Sequence, residues 1–162
     1  NFLIKFKTTA EFLINTFLPI FSSNTLTKGG SAVDAAIATL LCNGIVNMQS
    51  MGIGGGMLMN IYIKEKQYGY AIDARESAPY AASPDMFDGS NLHKSIHGGL
   101  AIAVPGELMG YHTAHQKFGK LPWKDLVEPA LKVCREGFYM SKHLRTSLEY
   151  KKEHLKNNTH IT

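Results

Sequence analysis

The apolar positions of this 162-residue chain change their period twice. From Ser31 onward Val33, Ile37, Leu40, Leu41 and Gly44 recur at helical spacing, with Ala32, Ala35, Ala36 and Ala38 among them. That pattern predicts a helix apolar on most sides and thin enough to pack closely on another layer, most naturally a sheet. Ser31-Ala32-Val33-Asp34 has the shape of a capping box, with Asp in place of the usual Glu or Gln. After the run Met51-Gly52-Ile53-Gly54-Gly55-Gly56 the period shortens. Met57 to Ile63 and Tyr68 to Ala74 read as strands joined by a turn over Lys64 to Gln67, which makes a hairpin. Pro79 ends regular structure, and residues 80–104 read as loop with a short strand at Leu100 to Val104. Helical spacing then returns in three segments. Pro105 and Gly119 bound the first and Pro122 and Gly137 the second, in the usual order of Pro at helix starts and Gly past helix ends. Trp123, Leu126, Val127, Ala130, Leu131 and Cys134 stripe the second segment. Ser141 caps the third, whose inward positions are Leu144, Leu148 and Leu155.

The first 23 residues fit this scheme less well. Phe2, Phe6, Leu13 and Phe17 allow a loose amphipathic helix, but Lys5, Lys7 and Glu11 interrupt the apolar run and Pro19 is expected to stop it. The stretch is neither a clean signal peptide nor a membrane span. We treat residues 1–27 as an atypical leader and residues 28–162 as the organised part. Because the chain starts at Asn1 rather than Met, further residues are expected to precede it.

Composition excludes several classes. With 44% hydrophobic and 19% charged residues, the chain is not disordered or collagen-like. Two cysteines rule out a disulfide-dense scaffold or a Cys-based zinc finger. Most of the net charge of +4 lies in residues 141–162, carried by Lys142, Arg145, Lys151, Lys152 and Lys156 against Glu149 and Glu153. A nucleic-acid face would add aromatic or Gly-rich readers to such a patch, and only Tyr150 is near. A solvated helix face is the better account, and no nucleic-acid partner is expected.

Four features invite chemistry. The glycine run is not a dinucleotide fingerprint, since Met57 stands where the last Gly belongs and the order is helix then strand. It suits a tight crossing that needs bare backbone, and no cofactor is expected there. His112 and His115, with Glu107 nearby, lack the further ligands a metal site needs, so no metal is expected. Cys42 and Cys134 read as buried small hydrophobes, and spacing leaves a disulfide between them open. Arg75 follows an apolar strand and precedes Glu76. Its planar fork suits a carboxylate, but on spacing alone an ion pair with Glu76 or Asp73 is the simpler and the favoured reading.

Taken together, these segments resemble the gamma-glutamyltransferases, also called glutathione hydrolases. The residues that carry the likeness run from Gly29-Gly30-Ser31-Ala32-Val33-Asp34-Ala35-Ala36-Ile37-Ala38 through Ser50-Met51-Gly52-Ile53-Gly54-Gly55-Gly56 to Ala74-Arg75-Glu76-Ser77-Ala78-Pro79. They continue in Gly98-Gly99-Leu100-Ala101-Ile102-Ala103-Val104-Pro105-Gly106-Glu107, in Ala114-His115-Gln116-Lys117-Phe118-Gly119-Lys120-Leu121-Pro122-Trp123 and in Arg135-Glu136-Gly137-Phe138. The Ser-Met-Gly-Ile-Gly form is closest to the animal enzymes.

The resemblance implies an α+β fold, the N-terminal-nucleophile hydrolase αββα sandwich, with the front portion of the large subunit in this chain. It also implies a precursor that cleaves itself into two subunits, whose small-subunit N-terminal Thr attacks the γ-glutamyl amide of glutathione and its conjugates. A γ-glutamyl ester then passes to water or to an amino acid or peptide acceptor, without metal or organic cofactor. In that scheme Arg75 binds the substrate α-carboxylate, which reverses the simpler reading given above. The expected partners are glutathione, other γ-glutamyl compounds and the small subunit, and the expected location is the outer face of the plasma membrane, through an anchor not seen in this chain.

Three departures qualify the match. The nucleophile's T-T/S-H-x-S/T motif does not occur: Asn158-Thr159-His160-Ile161-Thr162 has Asn where the Thr belongs. The usual upstream partner of the Cys at position 42 is missing from residues 1–27. The residues that complete the glutamate site belong to the small subunit. The chain alone is therefore expected to be inactive, and the alternative is an inactive fragment or splice product that acts only by binding a partner. Asn157-Asn158-Thr159 is a glycosylation sequon that would suit an exported protein.

Overall fold

The computed structural model describes residues 6–7 and 14–156, and the sequon and the terminal likeness to a nucleophile motif lie outside them. The chain divides into two compact units, residues 1–52 with 113–162, and residues 53–112.

The first unit is mainly helical. Helix α1 (Ile14–Thr27) contains Pro19 instead of ending at it. Pro19 is the sixth helical residue, so it removes a single early backbone bond, and the helix continues because it packs along its neighbour α2 (Ala32–Val46). The expected capping box is present at the start of α2. Asp34 N–H donates to Ser31 Oγ at 3.1 Å, and Ser31 N–H donates to Asp34 Oδ2 at 2.8 Å.

Within this unit α2 packs on α1 and on α4 (Trp123–Glu136), helix against helix. Alanine-lined faces admit close helix neighbours as readily as a sheet. Ile37, Ala38, Cys42, Leu126 and Leu144 are fully buried. Helix α4 starts after Pro122 and stops at Gly137, which has φ +80°. A two-residue strand β4 (Phe138–Tyr139) follows and pairs in parallel with β1 (Phe6–Lys7). Helix α5 (Lys142–Lys156) is capped by Ser141 Oγ, which accepts from Leu144 N–H at 3.0 Å. Leu144 joins Val46, Val133 and Phe138 in a core cluster flanked by Leu18, Phe21, Ile45, Met140 and Leu148.

The second unit is built on the hairpin. Strands β2 (Met57–Ile63) and β3 (Tyr68–Ala74) have the expected bounds and pair antiparallel, from Met57 with Ala74 to Ile63 with Tyr68. The expected strand at Leu100 to Val104 is instead a short 3-10 turn over Gly99–Ala101, followed by a single bridge between Val104 and Ser77. One bridge satisfies both backbone groups of Val104, and Pro105, which has no N–H to donate, follows at once. Helix α3 (Glu107–Phe118) begins in this unit, and its residues from Thr113 belong to the first. No helix among the described residues is long and apolar enough to cross a membrane.

Candidate functional site

Arg75 stands one residue past β3, in the second unit. Its Nε lies 3.2 Å from Glu76 Oε2, and its N–H donates to Asp73 Oδ1 at 3.0 Å. Of the two partners named by the simpler reading, Glu76 meets the guanidinium, whereas Asp73 is bonded to the Arg75 backbone. The Glu76 contact goes through one nitrogen, and the Arg75 side chain is 71% exposed. So open an ion pair adds little stability, and the rest of the fork faces solvent.

The backbone beneath Arg75 is held much more firmly. A Cβ added at Gly56 would lie 2.5 Å from Ala74 O, 2.8 Å from Arg75 Cα and 2.8 Å from Glu76 N. One added at Gly106 would meet Ala74 O at once and lie 2.9 Å from Arg75 O. Only bare backbone fits at either place. The two glycines are also tied to each other's segments: Gly55 O accepts from Gly106 N–H at 3.0 Å and from Glu107 N–H at 3.1 Å. The last residue of the glycine run thus serves the close crossing expected of it, and its neighbour across the gap is the Arg75 strand end. An exposed guanidinium is presented on a clamped backbone.

The other candidate residues have separate commitments. In the first unit Asp34 is completely buried. Its Oδ2 accepts from Lys120 N–H at 2.8 Å and Leu121 N–H at 3.2 Å as well as from Ser31. Burial by itself raises the Asp34 carboxyl, but these backbone N–H groups outweigh it and hold the pKa below the ordinary aspartate range. His115 Nε2 lies 2.7 Å from Leu121 O and 3.8 Å from Asp34 Oδ1, with the ring edge-on to Trp123. His115 therefore secures the turn between α3 and α4. Glu107, in the second unit, is buried and accepts from the Tyr111 hydroxyl. Among the described residues no three His, Cys, Asp or Glu side chains gather as a metal site would require. Cys42 is buried and Cys134 half-buried, both as free thiols.

The Asp34 hub and the Glu107–Tyr111 pair were not anticipated as functional features of the sequence. The local signals were the Ser31–Asp34 capping box for the first and the spacing of Glu107 and Tyr111, one helical turn apart, for the second.

A family model, Gamma-glutamyltranspeptidase, matches residues 21–162. The chain belongs to the gamma-glutamyltranspeptidase family. It is 50% identical over 132 residues to Scoloptoxin SSD14 of Scolopendra dehaani, covering 82% of this chain and 23% of that protein. It is 43% identical over 129 residues to Glutathione hydrolase 3 of Arabidopsis thaliana, covering 80% of this chain and 20% of that one. Among solved structures, the gamma-glutamyltranspeptidase of Pseudomonas nitroreducens complexed with L-DON superposes with a TM-score of 0.82 at 30% identity, over 98% of this chain and 48% of that one. The fold is that of the gamma-glutamyltranspeptidases, α+β and of the N-terminal-nucleophile hydrolase kind. This chain spans about a fifth of the length of the curated relatives it matches.

Proposed function

We propose that this chain forms the N-terminal part of the large subunit of a gamma-glutamyltransferase, or glutathione hydrolase, and that Arg75 holds the α-carboxylate of the γ-glutamyl group. The observation that carries this reading is an open guanidinium on a strand end whose backbone is clamped between two glycines. A charge-assisted fork fixed in that way anchors the non-reacting end of the substrate and so positions the amide for attack. The nucleophilic Thr and the rest of the glutamate site come from the small subunit of the same precursor. The Thr hydroxyl attacks the γ-glutamyl amide carbon, its proton passes to the leaving amine as the C–N bond breaks, and the resulting γ-glutamyl ester passes to water or to an amino acid or peptide acceptor with release of the Thr hydroxyl.

The test is Arg75→Ala in the full-length enzyme, assayed with a chromogenic γ-glutamyl anilide. KM is expected to rise by about 10- to 100-fold with the loss of a charge-assisted bond. An unchanged KM returns Arg75 to a plain ion pair with Glu76. The purified 162-residue chain is expected to show no turnover, and turnover by it overturns the division of labour proposed here. A reading frame that stops after Thr162 would favour an inactive fragment that works by binding. Attachment to the outer cell surface is part of the same proposal, supported by the family resemblance and the Asn157 sequon, and tested by surface biotinylation and deglycosylation.

A further inference from the structure

A buried carboxylate and phenol lie in the first turns of α3, which follow Gly106, the residue whose backbone abuts the strand end that carries Arg75. Glu107 opens α3 and is 4% exposed, and Tyr111, one turn later, is 1% exposed. The Tyr111 hydroxyl donates to Glu107 Oε1. Burial pushes the phenol well above its ordinary range, and the hydrogen bond and charge of Glu107 push it further. Tyr111 therefore remains a donor throughout the working range of pH.

The same helical turn is fixed through its backbone. Gly106 and Glu107 N–H both donate to Gly55 O, and Gly106 and Gly56 press bare backbone on the segment from Ala74 to Glu76. Gly110, on the same first turns of α3, leaves its Cβ position to the Met57 side chain and the Ala74 methyl. A buried carboxylate is a costly way to fill space, but its bond to Tyr111 stiffens the first turn of α3 from within, while the backbone contacts hold that turn against the strand end. That turn is the platform on which the Arg75 backbone rests.

We propose that Glu107, held by Tyr111, is a positioning residue for Arg75: it fixes the first turn of α3 and so aims the guanidinium at the substrate α-carboxylate. This rests on the reading of Arg75 as the carboxylate holder. Loosening the pair lets the clamp around Ala74–Glu76 shift, and the effect falls on carboxylate recognition before it falls on chemistry.

The test uses the full-length enzyme and two chromogenic anilides, γ-glutamyl and 4-aminobutyryl, which differ by the α-carboxylate. Tyr111→Phe is expected to raise KM for the γ-glutamyl anilide by about tenfold with kcat changed less than about threefold, and to leave kcat/KM for the 4-aminobutyryl anilide within about twofold. Glu107→Asp draws the acceptor away from Tyr111 and gives the same split, so either variant reports if the other fails to fold. Glu107→Gln keeps an acceptor oxygen and restores KM to within about threefold of wild type. On an Arg75→Ala background Tyr111→Phe adds no further rise in KM, as expected if both act through one contact.

Equal losses on both anilides would make the pair a plain stabiliser and overturn the proposal. A rise in KM with Arg75→Ala but none with Tyr111→Phe or Glu107→Asp overturns it while leaving the Arg75 reading intact. An unchanged KM with Arg75→Ala removes both.

Discussion

Helix α2 and the β2–β3 hairpin are comparably apolar, 15 residues against two strands of 7, yet they reach opposite environments. Eight residues of α2 are buried, and neither strand of the hairpin has one. Helix α2 finds α1 and α4 within its own unit, and a helix with small residues can be covered on more than one side. The hairpin shows an alternation of exposed and half-covered positions, with Leu58 and Tyr62 on the open face. A two-stranded hairpin has two faces and two edges to satisfy, and this chain spans only about a fifth of the length of its relatives. Apolar sequence therefore specifies that a surface should be buried, and the supply of neighbouring elements decides whether it is. The candidate site lies on the less covered element, where rigidity comes from backbone clasps instead of a core.

The sharpest way to break this contrast is to remove the same kind of side chain from each region. Ile37→Ala is expected to cost about 2–5 kcal/mol, because α2 cannot close over the cavity. Leu58→Ala is expected to cost less than about 0.5 kcal/mol, because its side chain is already in water. Amide hydrogen exchange of the 162-residue chain measures both, and equal losses would end the distinction.

A second comparison tests the claim that the hairpin region is held by its glycines. Gly106→Ala drives a methyl into Ala74 and Arg75 backbone and is expected to cost about 1–3 kcal/mol. Gly54→Ala, whose added carbon meets nothing within 4 Å, is expected to leave local exchange rates unchanged.

The first unit should carry an acid-sensitive element of its own. The folded Asp34 carboxyl titrates below its unfolded counterpart. Its contribution is therefore complete above the unfolded aspartate range and is lost as pH falls through the folded one. Fluorescence of Trp123, which stacks edge-on to His115, should show a loss of first-unit stability on acidification that Asp34→Asn reduces. A profile identical in the two proteins would separate Asp34 from the stability of the turn.

The smallest effect concerns the thiols. Burial, with the nearby Cys134 adding to it, pushes the Cys42 thiol up to about 12. At pH 8 an alkylating reagent should label the half-buried Cys134 and spare Cys42, whereas both react in denaturant. Early labelling of Cys42, followed by mass spectrometry, would show that α2 is less well enclosed than its burial implies.

Much of the fold was legible where the cause was local. The Ser31–Asp34 capping box, the hairpin bounds at Met57, Ile63, Tyr68 and Ala74, the Pro122 and Gly137 limits of α4 and the Ser141 cap all follow from residues within a few positions of one another. Arg75 could be seen at a strand end, but spacing alone favoured an ion pair, and only the family resemblance pointed to a substrate carboxylate. The misses are of another kind. Pro19 sits inside α1 because packing on α2 outweighs one lost backbone bond. The run at Leu100 to Val104 makes one bridge because Pro105 ends the ladder. The reach of Asp34 to Lys120 and Leu121, 86 and 87 positions away, has no trace in local sequence at all.

The sequence by itself determined the period of each segment, its caps and breaks, the bare backbone at Gly56 and Gly106, and the motif order that marks the gamma-glutamyltranspeptidase family. These depend on steric limits and hydrogen bonds between near neighbours, which any short peptide of the same residues shares. Only the tertiary structure decided what the two glycines press against, which carboxylate meets which donor, and which apolar face is covered. Those outcomes depend on close approach between segments far apart in the chain, and close packing fixes them once the elements are assembled.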